Sequence, residues 1–301
     1  GLKYFILGAL SSGILLYGMS LLYGSVGSTL FNDISQSLYD EVSLTSLIGI
    51  IFILSGLAFK ISAVPFHMWT PDVYEGAPTS VTTFFAIVPK IAAITLLLRV
   101  CYSSFDNLID EWQQIVIFIS ILSMLLGSVA AIFQTNIKRL IAYSSIAHVG
   151  FALVGLAAGN EIGFASVLIY LTVYVFMNIG AFCIILSLKR DGQFVEEIED
   201  LSGLFKYQPF LAISFLVILF SMTGIPPLAG FFGKWMIFSA AVNSGLIYLA
   251  IIGVLSSVIG AFYYIRIIKI MFFDDIQSEI DEVDNRSLLF SLYLMIFILI
   301  S

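Results

Sequence analysis

Charge is what this 301-residue chain has least of: only 11% of its residues are Asp, Glu, Lys or Arg, while 60% are hydrophobic. A soluble domain carries about 25% charged residues. So few charges cannot cover so much apolar surface in water, and the mean hydropathy of +1.05 agrees. Soluble enzymes, DNA-binding modules and disordered regulators are therefore excluded, and a polytopic membrane protein is expected. Cysteine is also scarce. Cys101 and Cys183 are the only two, too few for an iron–sulfur cluster, which takes four thiolates. Both are read as packing residues. Two histidines, His67 and His148, offer little to a haem or a zinc site. No signal peptide is visible. Gly1 and Ser301 both fall inside apolar runs, so the chain is expected to be cut from a longer protein at both ends.

What is present is apolar sequence in long blocks. A membrane-spanning helix needs about 20 mainly apolar residues. Nine such runs are found, at about 2–24, 44–69, 79–100, 113–136, 140–158, 163–188, 210–242, 246–272 and 287–301, the last incomplete. They are continuous rather than alternating, so helices are expected and barrel strands are not. The run 210–242 is too long for one straight crossing and holds Gly224, Pro226, Pro227, Gly230 and Gly233. Proline removes a helix hydrogen bond and clashes with the preceding turn. A broken helix is expected there, with the carbonyls of Met222 and Thr223 freed. The run 44–69 has the same character, with Pro65 inside it freeing the carbonyl of Ile61 and Pro71 at its end.

Nine crossings place the loops near 70–78, 137–139, 189–209 and 273–286 on one side. With adjoining helix ends they carry Lys138, Arg139, Lys189, Arg190, Lys206, Arg266, Lys269 and Arg286, eight of the thirteen basic residues. The other side has Arg99. Positive charge marks the cytoplasmic or matrix face. Four basic residues remain, all within apolar runs: Lys3, Lys60, Lys90 and Lys234. No acidic residue lies deep in a run.

A lysine at the bilayer centre costs about 2.5–3.5 kcal/mol on insertion scales. One reading is snorkelling, in which the ammonium reaches the interface along its stem. The other is that Lys60, Lys90 and Lys234 face a hydrated interior and titrate. Burial disfavours the ammonium and a nearby carboxylate favours it, so a lysine poised between the two can exchange a proton near neutral pH. The helix breaks support the second reading, because non-helical backbone at membrane depth is tolerated where it is buried or lines water. A lysine near a break in each half also resembles the inverted-repeat logic of secondary transporters. The depth of Lys3 is not fixed by the sequence. His67 follows Lys60 by seven positions, and a histidine's ordinary pKa suits a proton relay; His148 lies among Ser144, Ser145 and Gly150. Each histidine is alternatively a hydrogen-bonded core residue. Gly233-Lys234 looks like the end of a phosphate loop, but Leu228 and Trp235 break that pattern. No dinucleotide turn and no Ser–His–Asp set is present, so no redox chemistry is expected in this chain.

Three blocks carry a family resemblance: KISAVPFHMWTPDVYEGAPTSVTTF from Lys60 to Phe84, NIKRLIAYSSIAHVGF from Asn136 to Phe151, and TGIPPLAGFFGKW from Thr223 to Trp235. Together they resemble the antiporter-like membrane subunits of respiratory complex I, the proton-pumping NADH:quinone oxidoreductase. The PDVYEGAPT segment is similar to the subunit 2 branch, called subunit N in bacteria, whereas related cation/proton antiporters typically have a PDAH-type sequence there. The resemblance spans nearly the whole chain. It implies an all-α bundle of fourteen membrane helices with two inverted five-helix repeats. This chain would supply the sixth to fourteenth: 1–100 ending the first repeat, 113–272 forming the second, and 287–301 beginning the last helix.

The resemblance further implies that Lys60 serves the central proton path on the first broken helix. Lys90 matches the lysine of the next helix, Lys234 that of the second broken helix, His67 a histidine between the first two, and Lys3 a lysine of a KYF-type block. The family pairs its first broken-helix lysine with a glutamate on a fifth helix, which this chain would lack. No cofactor is implied here; NADH, FMN, iron–sulfur clusters and quinone would sit in partner subunits. Those partners would include other antiporter-like membrane subunits in the mitochondrial inner or bacterial cytoplasmic membrane. Quinone reduction elsewhere would drive protonation changes along the lysines and histidines, including His148. The alternatives are a stand-alone cation/proton antiporter, a structural linker with lipid-facing lysines, and the photosynthetic relative that takes electrons from ferredoxin.

Overall fold

Continuous apolar sequence satisfies its own backbone as helix, and the chain is almost entirely helical. The computed structural model describes residues 1–277, 279–281 and 285–300. Part of the expected 273–286 loop, and Ser301 of the expected run 287–301, lie outside the described residues. The first apolar run forms α1 (Leu2–Val26), followed by the short amphipathic α2 (Phe31–Asp40), which the sequence reading passed over as loop. Then come α3 (Leu44–Lys60), α4 (Thr70–Gly76), α5 (Thr79–Ser103), α6 (Ile109–Ile132), α7 (Ile137–Ala157) and α8 (Glu161–Ser187). A two-stranded hairpin, β1 (Lys189–Arg190) with β2 (Gln193–Phe194), leads to the single turn α9 (Leu204–Tyr207). The chain continues with α10 (Pro209–Thr223), α11 (Ala229–Asn243), α12 (Ile247–Phe273) and α13 (Arg286–Ile300).

Six helices are each long and apolar enough to cross a membrane, namely α1, α5, α6 with its preceding turn, α7, α8 and α12. Three expected runs hold shorter apolar helices instead, α3, α10 and α13. The chain is thus a multi-pass membrane protein. Hydrogen bonds sort its loops into two ends. At one end Arg139 reaches Asp72 and Glu75, Lys138 reaches Glu196, Lys206 reaches Asp275, and the Gln208 amide reaches the carbonyls of Ile280 and Asp281. At the other end Ser35 bonds Asp106, Gln113 donates to the Ala157 carbonyl, and Asn160 donates to Ser244. The first end is the basic one that the loop charges assign to the inside.

Both expected breaks are present, but their form differs from a kink. Helix α3 stops at Lys60 with Ile61 as its cap. Val64 precedes Pro65, and a residue before proline is disfavoured in the helical region. Residues 61–69 therefore run as turns, and Ser62 adopts a left-handed φ of 65°. The seven positions from Lys60 to His67 are therefore not two turns of one helix. The second break separates α10 from α11 at residues 224–228.

The apolar core forms two clusters, one toward each end. On α7, residues Ile137, Leu140, Ile141 and Ala142 belong to the inner cluster. Ala147 and the stretch from Val149 belong to the outer one. On α5, Ala86 and Ile87 are inner, while Ile94, Leu97 and Leu98 are outer. The residues left between the clusters are Lys90 on α5 and Ser144, Ser145 and His148 on α7, all buried. A polar belt thus crosses the bundle between two apolar layers.

Candidate functional site

The belt is built around α7, the helix buried along nearly its whole length. Lys90, 1% exposed, donates from Nζ to Ser145 Oγ at 2.5 Å and lies over the Tyr74 ring, 5.2 Å from its centroid. Pro89 sits inside α5 immediately before it. The Ser145 hydroxyl also faces the phenols of Tyr74 and Tyr174. One turn further along α7, His148 Nδ1 is 2.5 Å from the Tyr170 hydroxyl and Nε2 is 3.3 Å from that of Tyr264. Tyr264 in turn bonds Ser144. Lys90 and Lys234 both reach α7, through Ser145 and Phe151, on either side of His148 in the sequence.

Lys234 lies six residues into the helix that follows the second break. An ammonium has three donors, and here all three are used. Nζ donates to the carbonyls of Met222 at 2.9 Å and Thr223 at 2.8 Å, and to Ser257 Oγ at 2.8 Å. Those two carbonyls are the ones that Pro226 and Pro227 leave without an amide partner. Nζ also lies 4.7 Å from the centroid of the Phe151 ring, which comes from α7. Gly224 caps α10 at a φ of 91°, and a Cβ there would stand 3.0 Å from Lys234 Cδ. At Gly230 a Cβ would fall 1.8 Å from the Ser221 carbonyl oxygen. Only glycine lets the first turn of α11 rest on the end of α10.

Lys60 is half-buried at the end of α3 and donates to Ser12 Oγ on α1 at 3.0 Å. Beside it is a cavity of about 290 Å³, walled by Tyr4, Phe59, Trp69, Phe85 and Pro89. His67 is half-buried in the turn segment, with Nδ1 making no hydrogen bond among the described residues. Lys3 is placed elsewhere. It begins α1 at the inner end, exposed, and forms an ion pair with Asp72. The carboxyl of Asp72 is held below its ordinary range, first by its hydrogen bond to Lys3 and also by Arg139.

The structure therefore gathers Lys90, His148 and Lys234 around one helix, leaves Lys60 and His67 at the first break, and sets Lys3 at the rim. Of the seven ion pairs among the described residues, none involves Lys60, Lys90 or Lys234. Sequence reading missed Ser12, Ser257, Tyr170, Tyr174, Tyr264 and Pro89. The tyrosines carry no local signal, while Pro89 beside a midspan lysine was one. Among the described residues no cluster of His, Cys, Asp or Glu is arranged to hold a metal.

Residues 1–260 match the family model described as NADH:quinone oxidoreductase/Mrp antiporter, transmembrane. NADH-quinone oxidoreductase subunit N of Rhodospirillum rubrum is 60% identical, over 96% of this chain and 60% of that protein. Subunit N of Parvibaculum lavamentivorans is 56% identical, over 99% and 63%. The chain thus spans about three fifths of the length of these relatives. Among solved structures, respiratory complex I from Thermus thermophilus with bound aureothin superposes with a TM-score of 0.85 at 32% identity, covering 99% of this chain and 65% of that one. The Mrp complex of a Dietzia species superposes with a TM-score of 0.80 at 26% identity, covering 94% and 52%. The chain belongs to the NADH:quinone oxidoreductase/Mrp antiporter family of membrane subunits.

Proposed function

We propose that the chain is the proton-translocating part of a subunit N in a bacterial NADH:quinone oxidoreductase, working in the cytoplasmic membrane. The observation that carries this reading is the polar belt. Lys90 and Lys234 are buried between two apolar layers, their ammonium groups hydrogen-bond only neutral partners, and both reach α7, the helix that carries His148, through Ser145 and Phe151. A buried cation ringed by hydroxyls and carbonyls can give up its proton without stranding a counter-charge, whereas removing the proton from an ion pair leaves a carboxylate unpaired.

In this reading Lys60, Lys90, His148 and Lys234 hold the proton in turn. Ser12, Ser145 and Ser257 orient the ammonium groups, and the break at Pro226–Pro227 frees two backbone carbonyls for Lys234. His67 acts at the first break, and Lys3 at the inner rim. The first break belongs to the end of one inverted repeat, 1–100, and the second break to the other repeat, 113–272. Electrons pass from NADH through FMN and iron–sulfur clusters to quinone in partner subunits. This chain supplies proton transfer alone, beside other antiporter-like membrane subunits. A stand-alone cation/proton antiporter is the second reading, favoured by the likeness to the Mrp complex. The 60% identity to a subunit N weighs against it.

The test is Lys90→Ala in the intact complex, with NADH-driven acidification and quinone reduction measured on the same membranes. Pumping is expected to fall while assembly persists. Unchanged pumping at full assembly would remove Lys90 from the path.

A further inference from the structure

Helix α4 is a seven-residue helix with non-helical chain on both sides, the turns at 61–69 before it and Ala77-Pro78 after it. It links the inner surface to two of the belt lysines. Tyr74, fully buried, lies under Lys90. Trp69, the residue just before α4, stacks on Phe59 at 5.7 Å, donates from Nε1 to the Phe59 carbonyl at 3.1 Å, and packs on Tyr4 at 5.0 Å. Tyr4 and Trp69 both wall the cavity beside Lys60. Two of the rings that line that cavity are therefore carried by the start of α1 and the approach to α4.

Immediately outside those rings sit four charges. Lys3, next to Tyr4, pairs with Asp72 of α4. Arg139, at the start of α7, bonds Asp72 at 2.9 Å and Glu75 at 2.7 Å. Asp72 is thus shared between a cation on α1 and a cation on α7. Lys138 adds a hydrogen bond to the Ala77 carbonyl at 3.1 Å while pairing with Glu196. The side chains of Lys3 and Asp72 are 48% and 40% exposed. The Arg139 pairs are almost as exposed, but Lys3 holds α4 through one carboxylate and Arg139 through two. The arrangement has a soft side toward α1 and a firm side toward α7.

From this geometry we infer that α4 is a gate on the inner-face entrance to Lys60, latched by the Lys3–Asp72 pair and hinged on Arg139. When the pair opens, Tyr4 and Trp69 separate and water from the inner side reaches the Lys60 cavity. When it closes, Tyr4 and Trp69 meet and block that route from the inner side. Asp72 and Lys3 are positioning residues, since they touch no proton carrier and act through Tyr4 and Trp69. The gate deepens the proton-path reading and rests on it.

The test uses inside-out membrane vesicles holding the whole complex, which present the inner face to added reagents. Ala93, a wall residue of the cavity, is replaced in Ala93→Cys, and a membrane-impermeant thiol reagent reports its accessibility against vesicles lacking that cysteine. Adding Lys3→Gln, which opens the latch and leaves Arg139 on Asp72 and Glu75, is expected to speed labelling by roughly 1.5- to 5-fold, the population change expected from losing a weak ion pair. An unchanged rate in assembled complex overturns the gate. The second measurement joins Lys3→Cys to Asp72→Cys with a short reducible cross-linker. NADH-driven pumping is expected to fall on cross-linking and to return on reduction. Pumping that continues undiminished while the two are tied shows a structural contact and no gate. Failure here with Lys90→Ala inactive removes the gate alone, whereas a fully active Lys90→Ala removes the proton path beneath it.

Discussion

Lys234→Met separates the stability of the second break from its use. Methionine keeps the length and volume of the stem and loses the ammonium. Three hydrogen bonds disappear, yet the acceptors are not equally exposed to the loss. Ser257 Oγ already donates to the Thr223 carbonyl at 3.2 Å, so that pair satisfies itself. The Met222 carbonyl keeps no partner, because Pro226 has no N–H to give it. One orphaned buried acceptor costs about 1–3 kcal/mol. Loss of the contact with the Phe151 ring adds about 2 kcal/mol at a desolvated site. Against this, a cation no longer has to be held at membrane depth, a relief of about 2.5–3.5 kcal/mol. The net lies between roughly −0.5 and 2.5 kcal/mol, a small destabilisation at most. Lys234→Ala would also empty the stem volume, for a further ~2–5 kcal/mol.

The assay pairs heat stability of the assembled complex on native gels with NADH-driven proton pumping in proteoliposomes. Lys234→Met is expected to assemble with near-native stability and to pump at least about tenfold more slowly, equivalent to ~1.4 kcal/mol on the barrier. Wild-type pumping in that variant refutes the role of Lys234. A loss of stability as large as that of Lys234→Ala refutes the bookkeeping, and shows the ammonium to be a structural tie between α10, α11 and α12.

Two further predictions follow from close contacts elsewhere. Gly230→Ala puts a methyl 1.8 Å from the Ser221 carbonyl oxygen, backbone that cannot swing aside; α11 must shift, at about 1–3 kcal/mol or more, and both assembly and pumping should suffer. Near-native behaviour of that variant would mean that α10 and α11 do not meet as described. At the inner rim, Lys3 and Arg139 hold Asp72 below its ordinary carboxylate range. A carboxyl with a depressed folded-state pKa stabilises above its unfolded value, about 3.9, and loses that contribution as pH falls through the lower folded value. Its worth is below about 1 kcal/mol, because the pair is solvent-screened. The fluorescence of Trp69, isolated by replacing Trp112 and Trp235, should stay constant from neutral pH to about 4 and change only below, and Asp72→Asn should abolish the step.

The lysines were legible in the sequence because charge is so rare in it. With thirteen basic residues and eight in loops of one phase, the remainder stood out without any structural knowledge. The freed carbonyls of Met222 and Thr223 were legible too, since proline chemistry is local. That Lys234 would turn back onto those very carbonyls was not, because a side-chain direction across a break is set by α12 and α7 packing. The same holds for Ser12 with Lys60 and Ser145 with Lys90, pairs separated by 48 and 55 residues. Lys3 was left open by the sequence, because an apolar run does not say how deep a residue near its edge lies; the structure pairs its ammonium with Asp72, 69 residues away. Helix α2 was hidden because ten residues with both faces occupied do not raise the local hydropathy enough to form a run.

Burial alone does not mark the lysines that matter. Lys138 is 2% exposed, as deeply covered as Lys90 at 1%. Yet Lys138 meets Glu196 at 2.6 Å and the Ala77 carbonyl, and it closes the inner rim between α4, α7 and the hairpin that follows α8. Removing its proton would strand a half-buried carboxylate. Lys90 meets a serine hydroxyl and the face of a tyrosine, and Lys234 meets two carbonyls and a serine. These are dipoles, which favour the ammonium but survive its neutralisation without leaving an unpaired charge in the membrane. The bundle thus holds its buried lysines with dipoles at midspan and with carboxylates at the rim, the difference that the proposed proton path requires. The separation falls along α7, where Lys138 and Arg139 at the first turn give way to Ser144, Ser145 and His148 one to three turns on.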